Sequence, residues 1–214
     1  MPRRDLPLFR DLRGFISYLE EHGELVRVRE PISVVHEITE IHRRTLQAGG
    51  PALLFESPVL PDGAVATMPV LVNLFGTTQR VAWGFGVESA RLKELGNELA
   101  ELREPQPPRD FADVMSKLPL ARAAMMMRPK QAGTAPVQEV VFRGDAVDLS
   151  VLPAQVCWPG EPGPLITWPL VITRPPEDDT DDDTNVSVYR MQIIGRNRVI
   201  LRWLAHRGGA RHHH

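Results

Sequence analysis

Apolar residues in the first hundred positions recur with two different periods. Leu12, Phe15, Ile16 and Leu19 stand at i, i+3, i+4 and i+7, with Asp11 placed to cap the N-terminus and Gly23 where a helix would stop. That spacing predicts an amphipathic helix with both ends marked. Leu25-Val26-Arg27-Val28 reads as a strand ending before Pro31, and a second helix is expected over residues 35–46, closed by Gly49-Gly50. Residues 52–55 and 70–74 read as short buried strands, and a third helix is expected from about Ser89 to Leu102. Strands alternating with helices point to an α/β unit.

The pattern breaks at Pro105-Gln106-Pro107-Pro108. A short helix is expected over residues 111–118, followed by a connector over 123–135. After Pro136 the apolar positions gather into short runs, at 137–142, 165–173, 185–194 and 198–206, which read as strands. Gly195-Arg196-Asn197 would turn the last two into a hairpin. There is no internal repeat. The expected organisation is therefore α+β, with an N-terminal α/β domain at 1–125 and a mostly β second domain at 126–214. The second domain stops while still building its sheet, which leaves little material to cover an edge.

Composition narrows the class without choosing a function. The chain has 214 residues, 43% hydrophobic and 24% charged, with a formal net charge of -2. These are ordinary values for a soluble globular protein. No basic stripe of the kind that grips nucleic acid is visible. Cys157 is the only cysteine, so no internal disulfide can form, as suits a reducing compartment. The charged start Met1-Pro2-Arg3-Arg4-Asp5 is not followed by an apolar signal core, and no run approaches the ~20 apolar residues a bilayer span needs. The expected location is cytoplasmic, with peripheral membrane contact left open.

Several motifs carry less than they first suggest. Gly84-Phe85-Gly86 is half of a dinucleotide fingerprint without its third glycine, and it reads better as a turn before a helix. In the acidic run from Glu177 to Asp183, a calcium loop would require a glycine and a terminal glutamate where Thr184 and Arg190 stand, so a solvated loop is the better reading. His212-His213-His214 is given no role. The run Arg202-Trp203-Leu204-Ala205-His206-Arg207-Gly208-Gly209 differs from these because it combines cations with glycines. Glycine lets backbone N–H groups approach an anion closely, and arginine can grip phosphate with two parallel bonds.

The same run resembles the Trp-x-x-His-Arg-Gly-Gly-Ala segment of the UbiD family of decarboxylases. Asn185-Val186-Ser187-Val188-Tyr189-Arg190-Met191-Gln192 resembles that family's Asn-Val-Gly-Ile-Tyr-Arg-x-Gln strand, at similar spacing from it. Leu152-Pro153, Cys157-Trp158-Pro159, Pro164-Leu165-Ile166-Thr167 and Asn73-Leu74-Phe75-Gly76 are also similar to the family. The resemblance implies non-oxidative decarboxylation of an aromatic or α,β-unsaturated carboxylic acid; the ubiquinone-pathway member acts on a polyprenyl-4-hydroxybenzoate. It implies prenylated FMN as cofactor, with a divalent metal, usually Mn2+, at its phosphate. It also implies a flavin prenyltransferase as supplier, homo-oligomeric assembly, and a flavin reductase-like split β-barrel after the α/β domain.

Carried over residue by residue, the resemblance implies that Asn185 ligates the metal, with His206 beside it in some members. Val188, Tyr189 and Arg190 would line the cofactor on one strand, and Arg202, Trp203 and Leu204 on a second. Arg207 and Gly208 would contact the phosphate, and Arg190 would also orient the reacting carboxylate. Asn185 and Arg190 would lie about 16 Å apart along an ideal strand and on opposite faces, so a bend or bulge is expected between them. Arg202 and His206 would share a face of theirs. Ser187 stands where the family often has glycine. The carboxylate that completes the metal shell and the proton-donating glutamate have no counterpart up to His214, nor does the later half of the barrel. The 214-residue chain alone is expected to be inactive. Two other readings remain: a flavin-binding split-barrel module without decarboxylase chemistry, and a truncated, non-catalytic remnant.

Overall fold

The computed structural model describes residues 6–104, 107, 109–126, 133–175 and 184–213. The chain divides into two compact units, each built from separated segments. One comprises Met1–Val26, Gly49–Ala52 and Asn73–Val141; the other comprises Arg27–Ala48, Leu53–Val72 and Phe142–His214.

In the first unit, α1 (Leu12–Glu21) forms where the periodicity places it. The Asp11 side chain accepts a hydrogen bond from the Gly14 N–H at 2.9 Å, and Gly23 ends the helix at φ 71, a conformation that costs glycine nothing. The helix buries Phe15 and Leu19, with Phe75 stacked on Phe15 and Trp83 edge-on to Tyr18. Trp83 lies on α3 (Thr78–Gly84), a helix the apolar spacing does not announce, capped by the Thr77 side chain on the Arg80 N–H. Arg80 has no exposed surface. Its guanidinium reaches Glu24 at 2.6 Å and donates to the carbonyls of Gly50, Asn73 and Leu74. Phe85 and Gly86 make the expected turn, with a 3-10 turn (Ser89–Arg91) running into α4 (Leu92–Arg103). The helix expected at 111–118 runs further, as α5 (Phe111–Met126) with Pro119 inside it. The strand expected at 137–142 does not form. Pro136–Gln138 closes a 3-10 turn instead, and Val137, Val140, Val141 and Phe142 stay exposed, with no strand paired to them among the described residues.

The core of the second unit holds Val34, Ile38, Leu53, Phe55, Val70 and Val72. These come from α2 (Glu37–Gln47), β3 (Ala52–Phe55), β5 (Val70–Val72) and the residue after β2 (Ile32–Ser33). The sheet order is β1-β3-β5, with β1 at Leu25–Val28. β2 pairs in parallel with β4 (Pro58–Val59). α2 starts later than its apolar spacing suggests because Val34 and His36 hold Val156 through backbone bonds of 3.1 and 2.9 Å.

The remaining strands are shorter than the sequence runs that make them. The 165–173 run is two strands, β6 (Leu165–Ile166) and β7 (Leu170–Thr173), parted at Pro169, which has no N–H for a ladder. The 185–194 run is β8 (Asn185–Val188) and β9 (Met191–Gly195), and the 198–206 run is a strand only over β10 (Arg198–Leu201). Arg196 and Asn197 turn β9 into β10, with the pairing slipping past Ile194. β9 is central to the sheet β10-β9-β6, whereas β8 pairs only with β7. The fold is thus α+β with small sheets, none closed among the described residues. No described helix is long and apolar enough to cross a membrane.

Candidate functional site

The break between β8 and β9 falls on Tyr189 and Arg190, where a bend was expected. The chain leaves one sheet there and enters another. A cleft of about 830 Å3 opens at the crossing, within the 300–1,000 Å3 range usual for small-molecule sites. Its floor is three register partners on adjacent strands, Leu165, Gln192 and Ile200. Ser187, Val188, Tyr189 and Arg190 form one wall. Arg202, Leu204 and Arg207, all after β10, form another, and Glu161 and Pro162 complete the rim.

Six of the expected cofactor residues therefore meet in one place: Val188, Tyr189, Arg190, Arg202, Leu204 and Arg207. Three guanidinium groups face the cleft against one carboxylate, and none of the three is ion-paired among the described residues. The Glu161 carboxylate accepts from the backbone N–H groups of Cys157 and Trp158 at 2.7 and 3.1 Å. Burial pushes the Cys157 thiol up from its usual range.

Trp203 and Gly208 support the cleft without lining it. α6 (Gly208–Arg211) carries two glycines in close contact with their neighbours. A Cβ on Gly208 would press on the Asn185 amide, and a Cβ on Gly209 would enter the Trp203 ring. The Gly209 N–H donates to the Tyr189 hydroxyl at 2.9 Å, and the Tyr189 and Trp203 rings meet edge-on at 4.7 Å. That N–H, the hydroxyl of Ser187, Asn185 and the charge of Arg207 hold the Tyr189 phenol below its ordinary range.

The two residues expected at a metal lie elsewhere. Asn185 gives its amide N–H to Thr173 at 3.2 Å and takes the Ser187 hydroxyl on its oxygen at 2.9 Å. His206 is exposed, in a turn beyond the end of β10, so it does not share a strand face with Arg202. No group of three or more His, Cys, Asp or Glu side chains that could hold a metal occurs among the described residues. Magnesium takes about six oxygen ligands, several of them from water and phosphate, and the Asn185 amide oxygen, which also accepts from Ser187, would supply one. A phosphorylated flavin suits three cations beside a floor that includes Leu165 and Ile200. The acidic run at 177–183 lies outside the described residues.

Sequence reasoning missed Ser187, Glu161, Pro162, Leu165, Gln192 and Ile200. The signal for the last three is strand register, which one chain read alone does not display.

Two family models match the chain. The 3-octaprenyl-4-hydroxybenzoate carboxy-lyase N-terminal domain covers residues 16–99, and the Rift-related domain of the same carboxy-lyase covers 128–214. Among solved structures, vanillic acid decarboxylase of Sedimentibacter hydroxybenzoicus in its closed form superposes with a TM-score of 0.74 at 26% identity, over 96% of this chain and 40% of that one. An evolved dimeric form of the UbiD-class enzyme HmfF from Pelotomaculum thermopropionicum, in complex with prFMN, gives 0.66 at 27% identity, over 92% and 39%. The same enzyme in complex with FMN gives 0.63 at 28%, over 90% and 36%. The chain thus spans about 40% of the length of these solved relatives. Matched in both of its regions by the models of one carboxy-lyase, this chain belongs to the UbiD family, as an N-terminal portion.

Proposed function

We propose that the 830 Å3 cleft is the chain's share of a prenylated-FMN site, in an enzyme that removes carbon dioxide without oxidation from an aromatic or α,β-unsaturated acid. A polyprenyl-4-hydroxybenzoate is one such acid. The observation that carries the reading is the convergence of Arg190, Arg202 and Arg207, none ion-paired among the described residues, on one cleft whose floor includes Leu165 and Ile200. A phosphate and a carboxylate would meet fixed cations there, in a site partly shielded from water. Arg207 takes the phosphate end with Gly208 next to it in α6, and Val188, Tyr189, Arg202 and Leu204 hold the ring system with Trp203 packed against Tyr189. Arg190 orients the reacting carboxylate, as a near-attack geometry needs. The flavin, when bound, supplies the electron sink. We keep residues 1–125 and 126–214 as the two sequence domains, the second contributing strands to a split barrel.

Glu161 is the acidic residue at the cleft among the described ones, and it is committed to two backbone N–H groups. The chain alone is therefore proposed to hold flavin without turnover. The test is co-expression with a flavin prenyltransferase followed by native mass spectrometry. Wild-type chain should carry prenylated FMN, and R207A should lose most of it. Complementation with the remaining portion of the vanillic acid decarboxylase should release carbon dioxide from an aromatic acid. Wild-type chain that emerges without flavin, where a relative treated identically carries it, would refute the reading. Flavin bound with no release from any acid after complementation would favour a flavin-binding module instead.

A further inference from the structure

We infer that Gln192 is a ligand-binding residue of this cleft, donating its side-chain N–H to an oxygen of the anionic ligand that the arginines hold. The inference rests on the proposed function and adds a contact to it.

Gln192 sits on the central strand β9, directly opposite Leu165 of β6 and Ile200 of β10. Register partners present their side chains to the same face of a sheet, and all three line the cleft. The position is thus a floor tile between two aliphatic neighbours, where packing alone would favour a third apolar side chain. Its Nε2 is instead buried with no hydrogen-bond partner. Gly163 leaves space beside the amide: a Cβ there would lie 3.3 Å from Nε2 and crowd it. An amide donor buried without an acceptor has lost its water and gained no partner, which is unfavourable. That cost is removed when the side chain turns its amide into the cleft and a ligand brings the missing acceptor.

The ligand's chemistry follows from the neighbours. Arg190 is two residues from Gln192 and lines the same cleft, as do Arg202 and Arg207. A ligand drawn in by three cations is an anion rich in oxygen acceptors, and an N–H donor on the floor matches it. That acceptor is carried either by the flavin or by the carboxylic acid beside it, and the two can be separated by experiment.

The chain and its Q192M variant are titrated with FMN, and separately with benzoate in the presence of saturating FMN. Methionine keeps length and volume while removing the amide. The expected result is at least a tenfold loss of affinity in one arm, the FMN arm marking a flavin contact and the benzoate arm a substrate contact. Thermal melts without ligand supply the second readout: Q192M should melt at or above the wild-type temperature, because the orphan donor is gone. Wild-type binding with unchanged affinity in both arms of Q192M would overturn this inference alone. So would a Q192M protein that melts well below wild type with both affinities intact, which would mark the amide as purely structural. Wild-type chain that takes up neither probe would sink the functional reading, and this one with it.

Discussion

Gly209→Ala tests whether the cleft depends on how α6 is clamped. The new Cβ would stand 3.0 Å from Cη2 of Trp203 and closer still to the two ring carbons beside it, so the ring or the helix must move. Overpacking of this kind costs about 1–3 kcal/mol. Movement also weakens the 2.9 Å bond from the Gly209 N–H to the Tyr189 hydroxyl, worth about 0.5–1.5 kcal/mol, and the edge-on Tyr189–Trp203 pair, worth a similar amount. The terms share one contact and do not simply add. Alanine offsets up to about 1 kcal/mol through its higher helix propensity. A net loss of about 2 kcal/mol remains, or about 4–8 °C in Tm for a chain of this size. Calorimetric melts of G209A and Y189F give the direct comparison, with Y189F expected to lose about half as much because it removes only the hydroxyl. FMN titration gives the functional one. Arg207 is the cap residue of α6, so a displaced helix carries its guanidinium off the cleft and affinity should fall at least tenfold. A G209A protein with wild-type Tm and wild-type FMN affinity would refute the claim that these glycines set the site.

Arg80→Met should destabilise the chain by about 3–5 kcal/mol in urea titrations, since it leaves Glu24 and three carbonyls, that of Asn73 buried, without their shared donor. A loss under about 1 kcal/mol would show that water or repacking replaces the guanidinium. Tyr189 should ionise below the ordinary tyrosine value of about 10, read as the wild-type minus Y189F absorbance at 295 nm against pH. Because the folded state favours the phenolate, its stabilising effect is complete above about 10 and disappears as pH falls through the lowered midpoint. A difference midpoint at or above 10 would contradict the contacts drawn around that hydroxyl.

The first half of the chain was legible where local signals agreed. Asp11, the 3.6-residue spacing and Gly23 specify α1, and the strands at 25–28 and 52–55 are found as read. α3 escaped because the residue at its buried centre is Arg80, a charge that binary patterning assigns to solvent. Its burial depends on Asn73 and on Glu24 and Gly50, the last two distant in sequence. Val140-Val141-Phe142 has strand composition but no partner strand, and β propensity expresses pairing as much as intrinsic preference. At the site, a family resemblance identified six residues that the fold brings to one cleft. The floor was hidden because Leu165, Gln192 and Ile200 are joined only by register across three strands.

The bend expected between Asn185 and Arg190 has a larger consequence than reconciling two faces. In a regular strand, neighbouring side chains point to opposite sides, so at most every second residue can line one cleft. Here Ser187, Val188, Tyr189 and Arg190 line it in succession, and Gln192 follows. Four consecutive lining residues are compatible only with a chain that turns as it passes the cavity, and the switch from the β7–β8 pair to the β10-β9-β6 sheet is that turn. It lets one short segment present a hydroxyl, an aliphatic side chain, a phenol and a guanidinium to the same ligand. It also leaves Asn185 outside the cleft, accepting the Ser187 hydroxyl and packed against Gly208. A substitution that straightened the segment would rotate every second one of these groups away, whatever its chemistry. The geometry of the break therefore constrains the site as strongly as the identities of its arginines.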